Sequence, residues 1–534
     1  MAARSFLEEV QFLRKKIVAF CITALLGIIF ISTNLTPLRV VDSEIGALLL
    51  APQLVPNPAP KVIPSLREWQ GRTGFFTLSP TSRIVIDPSY TTQLESTGKV
   101  FQGDLFSMTG YTFPIVTTIS PGAGDFFLTL NNLDPGIGSE GYLFQVDDTV
   151  VISAHSRTGV FYGTRTALQI LLEDITKSRI PKGIARDYPQ YAERGFMLDA
   201  GRKFFSIHFL EDYVKFMAWY KMNDFHIHLN DNAPGGGDST DWMHSYAAFR
   251  LNSPRFPGLT AKDGSYTGQD IRALQDIANA YGVTITPEID VPAHALAFTQ
   301  YRPDLASPNF SKEFLDLNNP ATYTFMNSIW DEFLPWFDAK QVDIGADEYS
   351  PSASDQYMRF INTYDAYLRS RGKTMRMWGT LTKMQSSVRV NTDIVLDDWN
   401  NGWANPVDMA SQGFSIINAN DNLLYIVPKA GYYHDYLDTQ MLYEQWEPNI
   451  FSLSDPGLNL QPGGPHLLCG MFSYWNDRLG SVISDADVHT RVKPAMQTLS
   501  QKLWSATAAD ISYDQFQQLA HLIGEAPGTH LPQT

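Results

Sequence analysis

From Pro189 onward the sequence repeats one order: a short apolar run, a polar turn, then a longer amphipathic run. That rhythm admits few folds. The strand candidates are residues 194–199, 224–231, 284–290, 342–348, 374–378, 393–399, 414–418 or the adjacent 423–427, and 467–475. Helical period marks segments between them, such as 207–222 and 267–281, and a last one at 486–504 follows the final strand. Strands alternating with helices build βαβ units, whose crossovers enforce a parallel sheet covered on its outer side. Eight such units predict an α/β protein with a (β/α)8 TIM barrel over residues 189–505.

A barrel of this kind presents its catalytic side chains at the C-terminal ends of its strands, so those ends are read as one set. Strand one leads to Asp199 and Arg202, and strand two offers His226, His228 and Asp231. Strand three carries Glu288 and Asp290, with His294 just beyond Pro292, and strand four ends in Asp347-Glu348. Strands five and six end in Trp378 and Trp399, the seventh offers Tyr425, and the eighth ends in Trp475 and Asp477. Taken singly, each is explained as a packed tryptophan, a hydrogen-bonded core histidine or a solvated acid. Acids, histidines and tryptophans on successive strands at one end are not explained that way. Adjacent carboxylates suit sugar chemistry, because one can stay ionised and position a group while the other acts as general acid.

The net charge of −16 excludes a nucleic-acid partner, which needs a basic face. Cys21 and Cys469 both lie in apolar runs and are not expected to pair, and no Cys/His cluster points to a metal or other cofactor. Near the start, Arg14-Lys15-Lys16 precedes an apolar run at 17–31 with no Ala-x-Ala site after it. This predicts a signal anchor within 1–34, the rest being translocated to a lumenal or extracellular face; a cleaved signal peptide and a secreted enzyme are the alternative. Residues 35–63 are proline-rich and read as a linker, while 64–188 alternate short β-like runs with turns around one helical pattern at 159–173, a small α/β domain. Residues 506–534 read as a C-terminal tail. Asn34 and Asn309 stand in glycosylation sequons.

Several long motifs resemble those of glycoside hydrolase family 20, the β-N-acetylhexosaminidases. They are Arg194-Gly-Phe-Met-Leu-Asp-Ala-Gly-Arg-Lys-Phe-Phe205, Tyr220-Lys-Met-Asn-Asp-Phe-His-Ile-His-Leu-Asn-Asp231, Pro287-Glu-Ile-Asp-Val-Pro-Ala-His294 and Gly345-Ala-Asp-Glu348. The resemblance spans roughly 64–505 and implies a glycan carrying β-linked N-acetylhexosamine as substrate. It implies that Glu348 is the general acid/base, that Asp347 orients the 2-acetamido group and that Tyr425 bonds its carbonyl oxygen. Trp378, Trp399 and Trp475 would wall the pocket, Arg202 and Asp477 would hold the far hydroxyls, and Asp231 with His294 would tune Glu348. Four positions depart from the family's usual residues: Asp343 stands for His, Ala346 for Gly, Asp477 for Glu, and Asn232 for an acid. Two alternatives stay open, a disaccharide-releasing enzyme of the lacto-N-biosidase kind and a catalytically inactive carbohydrate-binding barrel.

Overall fold

The computed structural model describes residues 55–478 and 483–532. The apolar run at 17–31 and the Asn34 sequon lie outside the described residues. Among those described, no helix is long and apolar enough to cross a membrane.

The N-terminal domain is a seven-stranded sheet in the order Glu68–Thr77, Arg179–Asp187, Tyr142–Val146, Val150–Ala154, Phe126–Thr129, Ile84–Ile86, Ile115–Thr117. Helices Thr91–Thr109 and Arg157–Glu173 pack on it, and each also meets a helix of the barrel. Sandwiched in this way, Arg157–Glu173 is buried almost all round, as a helix with two partners must be. Its Gly163 lets it lie close on the sheet: a Cβ there would come 2.3 Å from Ile152 Cγ2. Burial also encloses an ion pair, with Arg165 Nη1 2.5 Å from Asp104 Oδ2, both side chains below one-tenth exposed. Removing one partner of a buried pair strands the other charge. Arg165→Ala is therefore expected to cost about 3–5 kcal/mol of stability, read from the denaturant midpoint, and Asp104→Asn in that background should restore part of it.

The barrel strands are Gly195–Asp199, Asp224–His228, Thr284–Glu288, Gln341–Asp343, Thr374–Trp378, Val395–Asp398, Ser415–Asn418 and Leu467–Tyr474, all parallel. Pairing of the seventh with the eighth and of the eighth with the first closes the ring. Of the two candidates for strand seven, Ser415–Asn418 takes the place in the barrel. A four-residue helix, Asp421–Leu424, then lifts the chain so that Tyr425–Ile426 forms a short extra strand, with Tyr425 opposite Ser473 on strand eight. Tyr425 thus reaches the barrel mouth from outside the ring of eight.

The barrel interior is charged as well as apolar. Arg376 Nε donates to both oxygens of Asp397 at 2.7 and 2.8 Å, and its Nη1 donates to Asp224 at 2.7 Å. All three groups are buried, Arg376 and Asp397 completely, so pairing is what makes their burial tolerable.

Both ends of the described chain differ from expectation. Pro60, Val62 and Ile63, read as linker, are buried, and Ile63 exchanges two hydrogen bonds with the Gln169 side chain at 2.8 and 2.9 Å. The segment read as a tail contains helix Tyr513–Ile523, started by a reciprocal Ser512/Gln515 cap. Its Phe516, Leu519, Ala520 and Ile523 fall on one buried face, packed against Arg157–Glu173 and Thr439–Glu444.

Candidate active site

Strand four stops at Asp343 rather than at the carboxylate pair, because the next residues leave extended backbone. Gly345, Ala346 and Glu348 have φ of +68°, +67° and +51°. Non-glycine residues pay for the left-handed region, so the turn must be held from outside. Asp343 Oδ1 accepts the Gly345 N–H at 2.7 Å, Asp290 Oδ1 accepts the Ala346 N–H at 3.1 Å, and Tyr357 and Thr380 donate to the Ala346 carbonyl. Two of the family departures acquire a local account here. Asp343 caps the turn, and Ala346 occupies a conformation that favours glycine.

Gly345 cannot be replaced without moving this clamp. A Cβ there would fall 1.9 Å from Asp290 Oδ1 and 2.2 Å from its Cγ. Displacing Asp290 shifts the two residues that follow, and a misplacement of about 1 Å costs on the order of 10²-fold in rate. Gly345→Ala is expected to lose turnover on that scale. Ala346→Gly, which relieves a left-handed alanine, should keep activity and gain up to about 1 kcal/mol of stability. Kinetics and thermal melting of the two variants check this pair.

The clamp sets Asp347 largely inside the barrel mouth, 14% exposed at its side chain, and Glu348 at the rim, 49% exposed. His294 lies beside both, its Nε2 3.7 Å from Asp347 Oδ2 and 3.4 Å from Glu348 Oε2. Its Nδ1 is 3.0 Å from Asp231 Oδ1, and Asp231 Oδ2 is 2.7 Å from His228 Nε2. His228 Nδ1 and His226 Nε2 then approach Glu288 Oε2 at 2.8 and 2.9 Å. A continuous polar path therefore runs from the barrel interior to Glu348.

Charge along this path follows from burial and neighbours. Burial opposes charging His294, but Asp231, Asp347 and Asp290 outweigh it and hold its pKa well above the usual value. Burial raises Asp347 to about 6, with His294 opposing and Glu348 adding to the rise. The His294 contact draws Glu348 below its ordinary value. Of the pair, Asp347 is the easier to protonate here, the reverse of the order a Glu348 acid needs. A sugar laid over half-exposed Glu348 removes it from water, and desolvation raises a carboxyl pKa.

Four rings stand at the same end of the barrel. Tyr425 lies 6.4 Å from Trp378, 6.5 Å from Trp399 and 5.7 Å from Trp475 between ring centroids, the Trp399 pair being parallel within 10°. Trp378 is fixed by its indole N–H, which donates to Glu288 Oε1 at 2.8 Å. The buried indole nitrogens of Trp399 and Trp475, and Asp347 Oδ1, make no hydrogen bond within the protein. Such groups are tolerated where a ligand or water supplies the partner.

Arg202 is more enclosed than a ligand-facing arginine need be. Its Nη2 is 2.7 Å from Asp231, its Nη1 is 3.1 Å from Asp199 and 3.4 Å from Asp477, and its Nε donates to the Asn232 carbonyl at 3.0 Å. Asn232, the fourth departure, donates to Glu313 at 2.6 Å. The ten residues to which the family resemblance gives roles thus lie in one connected region. Three further groups were missed. Tyr433 packs on Tyr425 and donates to Asp421, Trp403 stacks on Trp399, and Tyr432 donates to Asp477 at 3.0 Å. They sit in loops, where the signal available was an unusual density of aromatic residues with no apolar period to bury them.

The sequence profile described as "Glycosyl hydrolase family 20, catalytic domain" matches residues 191–507, and "Glycosyl hydrolase family 20, domain 2" matches 59–188. The chain belongs to glycosyl hydrolase family 20. It is a glycoside hydrolase of the β-hexosaminidase family, with the small domain preceding the barrel. It is 27% identical over 409 residues to the Dictyostelium discoideum beta-hexosaminidase subunit A2, covering 70% of each chain. To the Bifidobacterium bifidum lacto-N-biosidase it is 25% identical over 502 residues, covering 89% of this chain but only 42% of that one, so it spans less than half of that relative. The Streptomyces coelicolor A3(2) family 20 β-N-acetylhexosaminidase superposes with a TM-score of 0.72 at 21% identity, covering 90% of this chain and all of that one.

Proposed function

We propose that the chain is a retaining exo-β-N-acetylhexosaminidase that removes terminal N-acetylhexosamine from glycans through an oxazolinium intermediate. The observation that carries this reading is the meeting of Asp347 and Glu348 with the four-ring box at one barrel mouth. Held between these rings, an acetamido group would be restrained against rotation, which lowers the entropic barrier to internal attack. Its oxygen attacks C1 of the sugar while Glu348 protonates the departing glycosidic oxygen. Asp347, ionised, faces the N–H of the oxazolinium as its charge develops, and Tyr425 donates to the acetamido oxygen. Glu348 then takes a proton from water, which attacks C1 and reopens the ring with net retention.

The test is turnover of a chromogenic β-N-acetylglucosaminide by the purified chain. Release of the chromophore supports the reading, and sugar binding without turnover would establish an inactive carbohydrate-binding barrel instead. A second reading, release of a disaccharide, is favoured by the short Asp477 side chain and by the match of most of this chain to the lacto-N-biosidase. The apolar run at 17–31 is proposed as a signal anchor, and N-terminal sequencing of the mature protein tests that.

A further inference from the structure

We propose that Tyr432 is the specificity-determining residue that closes the sugar pocket after one N-acetylhexosamine, its hydroxyl completing a wall that the short Asp477 side chain leaves incomplete. The proposal rests on the hydrolytic reading above. Asp477 Oδ1 lies 3.4 Å from Arg202 Nη1, and its Oδ2 accepts the Tyr432 hydroxyl at 3.0 Å. The carboxylate is thereby held between a buried cation and a phenol.

Tyr432 is 56% exposed, and its ring meets the neighbouring Tyr433 ring edge to face at 5.4 Å between centroids. Its place is set by the loop that carries it. Val427 N–H donates to the His434 carbonyl at 2.8 Å, and His434 Nε2 lies 2.9 Å from the Asn422 carbonyl. Tyr433 is tied to Asp421 at 3.0 Å, and Asp435 is paired with Arg491 at 3.0 Å. Gly431, with φ of +80°, makes the turn immediately before Tyr432. The residues after Tyr432 are pinned in succession, and Tyr432 itself reaches Asp477.

A hexosyl group attached to the far edge of the bound sugar would have to enter the space of this ring. Truncation opens that space without removing any loop anchor, because none of them involves the Tyr432 side chain. The phenol–carboxylate pair also offers a donor and an acceptor together, the pattern a sugar hydroxyl matches.

The test compares aryl β-glycosides of N-acetylglucosamine and of galactosyl-β1,3-N-acetylglucosamine. Wild type should cleave the first and not the second. Tyr432→Ala is expected to raise the ratio of disaccharide to monosaccharide kcat/KM by at least about tenfold, mainly through KM, with an unchanged melting temperature. Tyr432→Phe, which keeps the ring, should raise KM for the monosaccharide and gain no disaccharide release. An unchanged ratio in Tyr432→Ala overturns the role of Tyr432 while leaving the hydrolase reading intact. A falling ratio shows the ring to be a platform for a second sugar and also overturns it. Wild-type cleavage of the disaccharide glycoside overturns the single-sugar pocket, and cleavage of neither overturns the hydrolase reading as well.

Discussion

Glu348→Gln is expected to reduce hydrolysis of alkyl or oligosaccharide β-N-acetylglucosaminides by about 10²–10⁴-fold, the usual worth of a positioned general acid. The amide keeps the shape and polarity of the side chain but carries no transferable proton. Glu348 is half-exposed at the rim, with His294 Nε2 3.4 Å from its carboxylate. Folding and ground-state binding should therefore survive. The diagnostic is a leaving-group series. A nitrophenolate departs with little protonation, so aryl substrates should lose far less than alkyl ones. Equal loss across the series would reject Glu348 as the acid. His294 has its own consequence in this scheme: it draws the Glu348 pKa down, so the substrate must raise it again by excluding water.

The second large effect concerns the nucleophile, which the substrate itself supplies. A β-glucoside lacks the acetamido oxygen and should be turned over at no measurable rate, while a thiazoline mimic of the bicyclic intermediate should inhibit strongly. Trapping of a covalent glycosyl-enzyme would sink the mechanism. Asp347→Asn should lower kcat sharply with the natural sugar, because a neutral amide no longer opposes the charge developing on the acetamido nitrogen. The same group sets the acid side of the pH profile. Burial holds Asp347 at about 6, and only its ionised form serves. On that acid side, activity thus falls as pH drops through about 6. A profile that stays level well below pH 6 would show that Asp347 is not required ionised.

What the sequence by itself determined is the architecture of the barrel and a set of side chains that its strand ends carry to one mouth. Strand and helix periods are local, so eight alternating units were legible without any contact being known, and the rule that chemistry gathers at C-terminal strand ends then picked out Asp347, Glu348, Tyr425 and the three tryptophans. Where strand four ends was decided only in three dimensions, because the left-handed φ at Ala346 is held by Asp290, Tyr357 and Thr380, which come from the loops after two other strands and from a helix. The choice of Ser415–Asn418 over the neighbouring run as strand seven was likewise a matter of closure against strand eight. The helix at Tyr513–Ile523 has a clear amphipathic face, but only the surfaces at Arg157–Glu173 and Thr439–Glu444 give that face something to bury. Tyr432 carried no period at all. It acquires meaning from a loop whose anchors, Asp421, Asn422 and Arg491, lie on either side of it in the chain and meet it only in the fold.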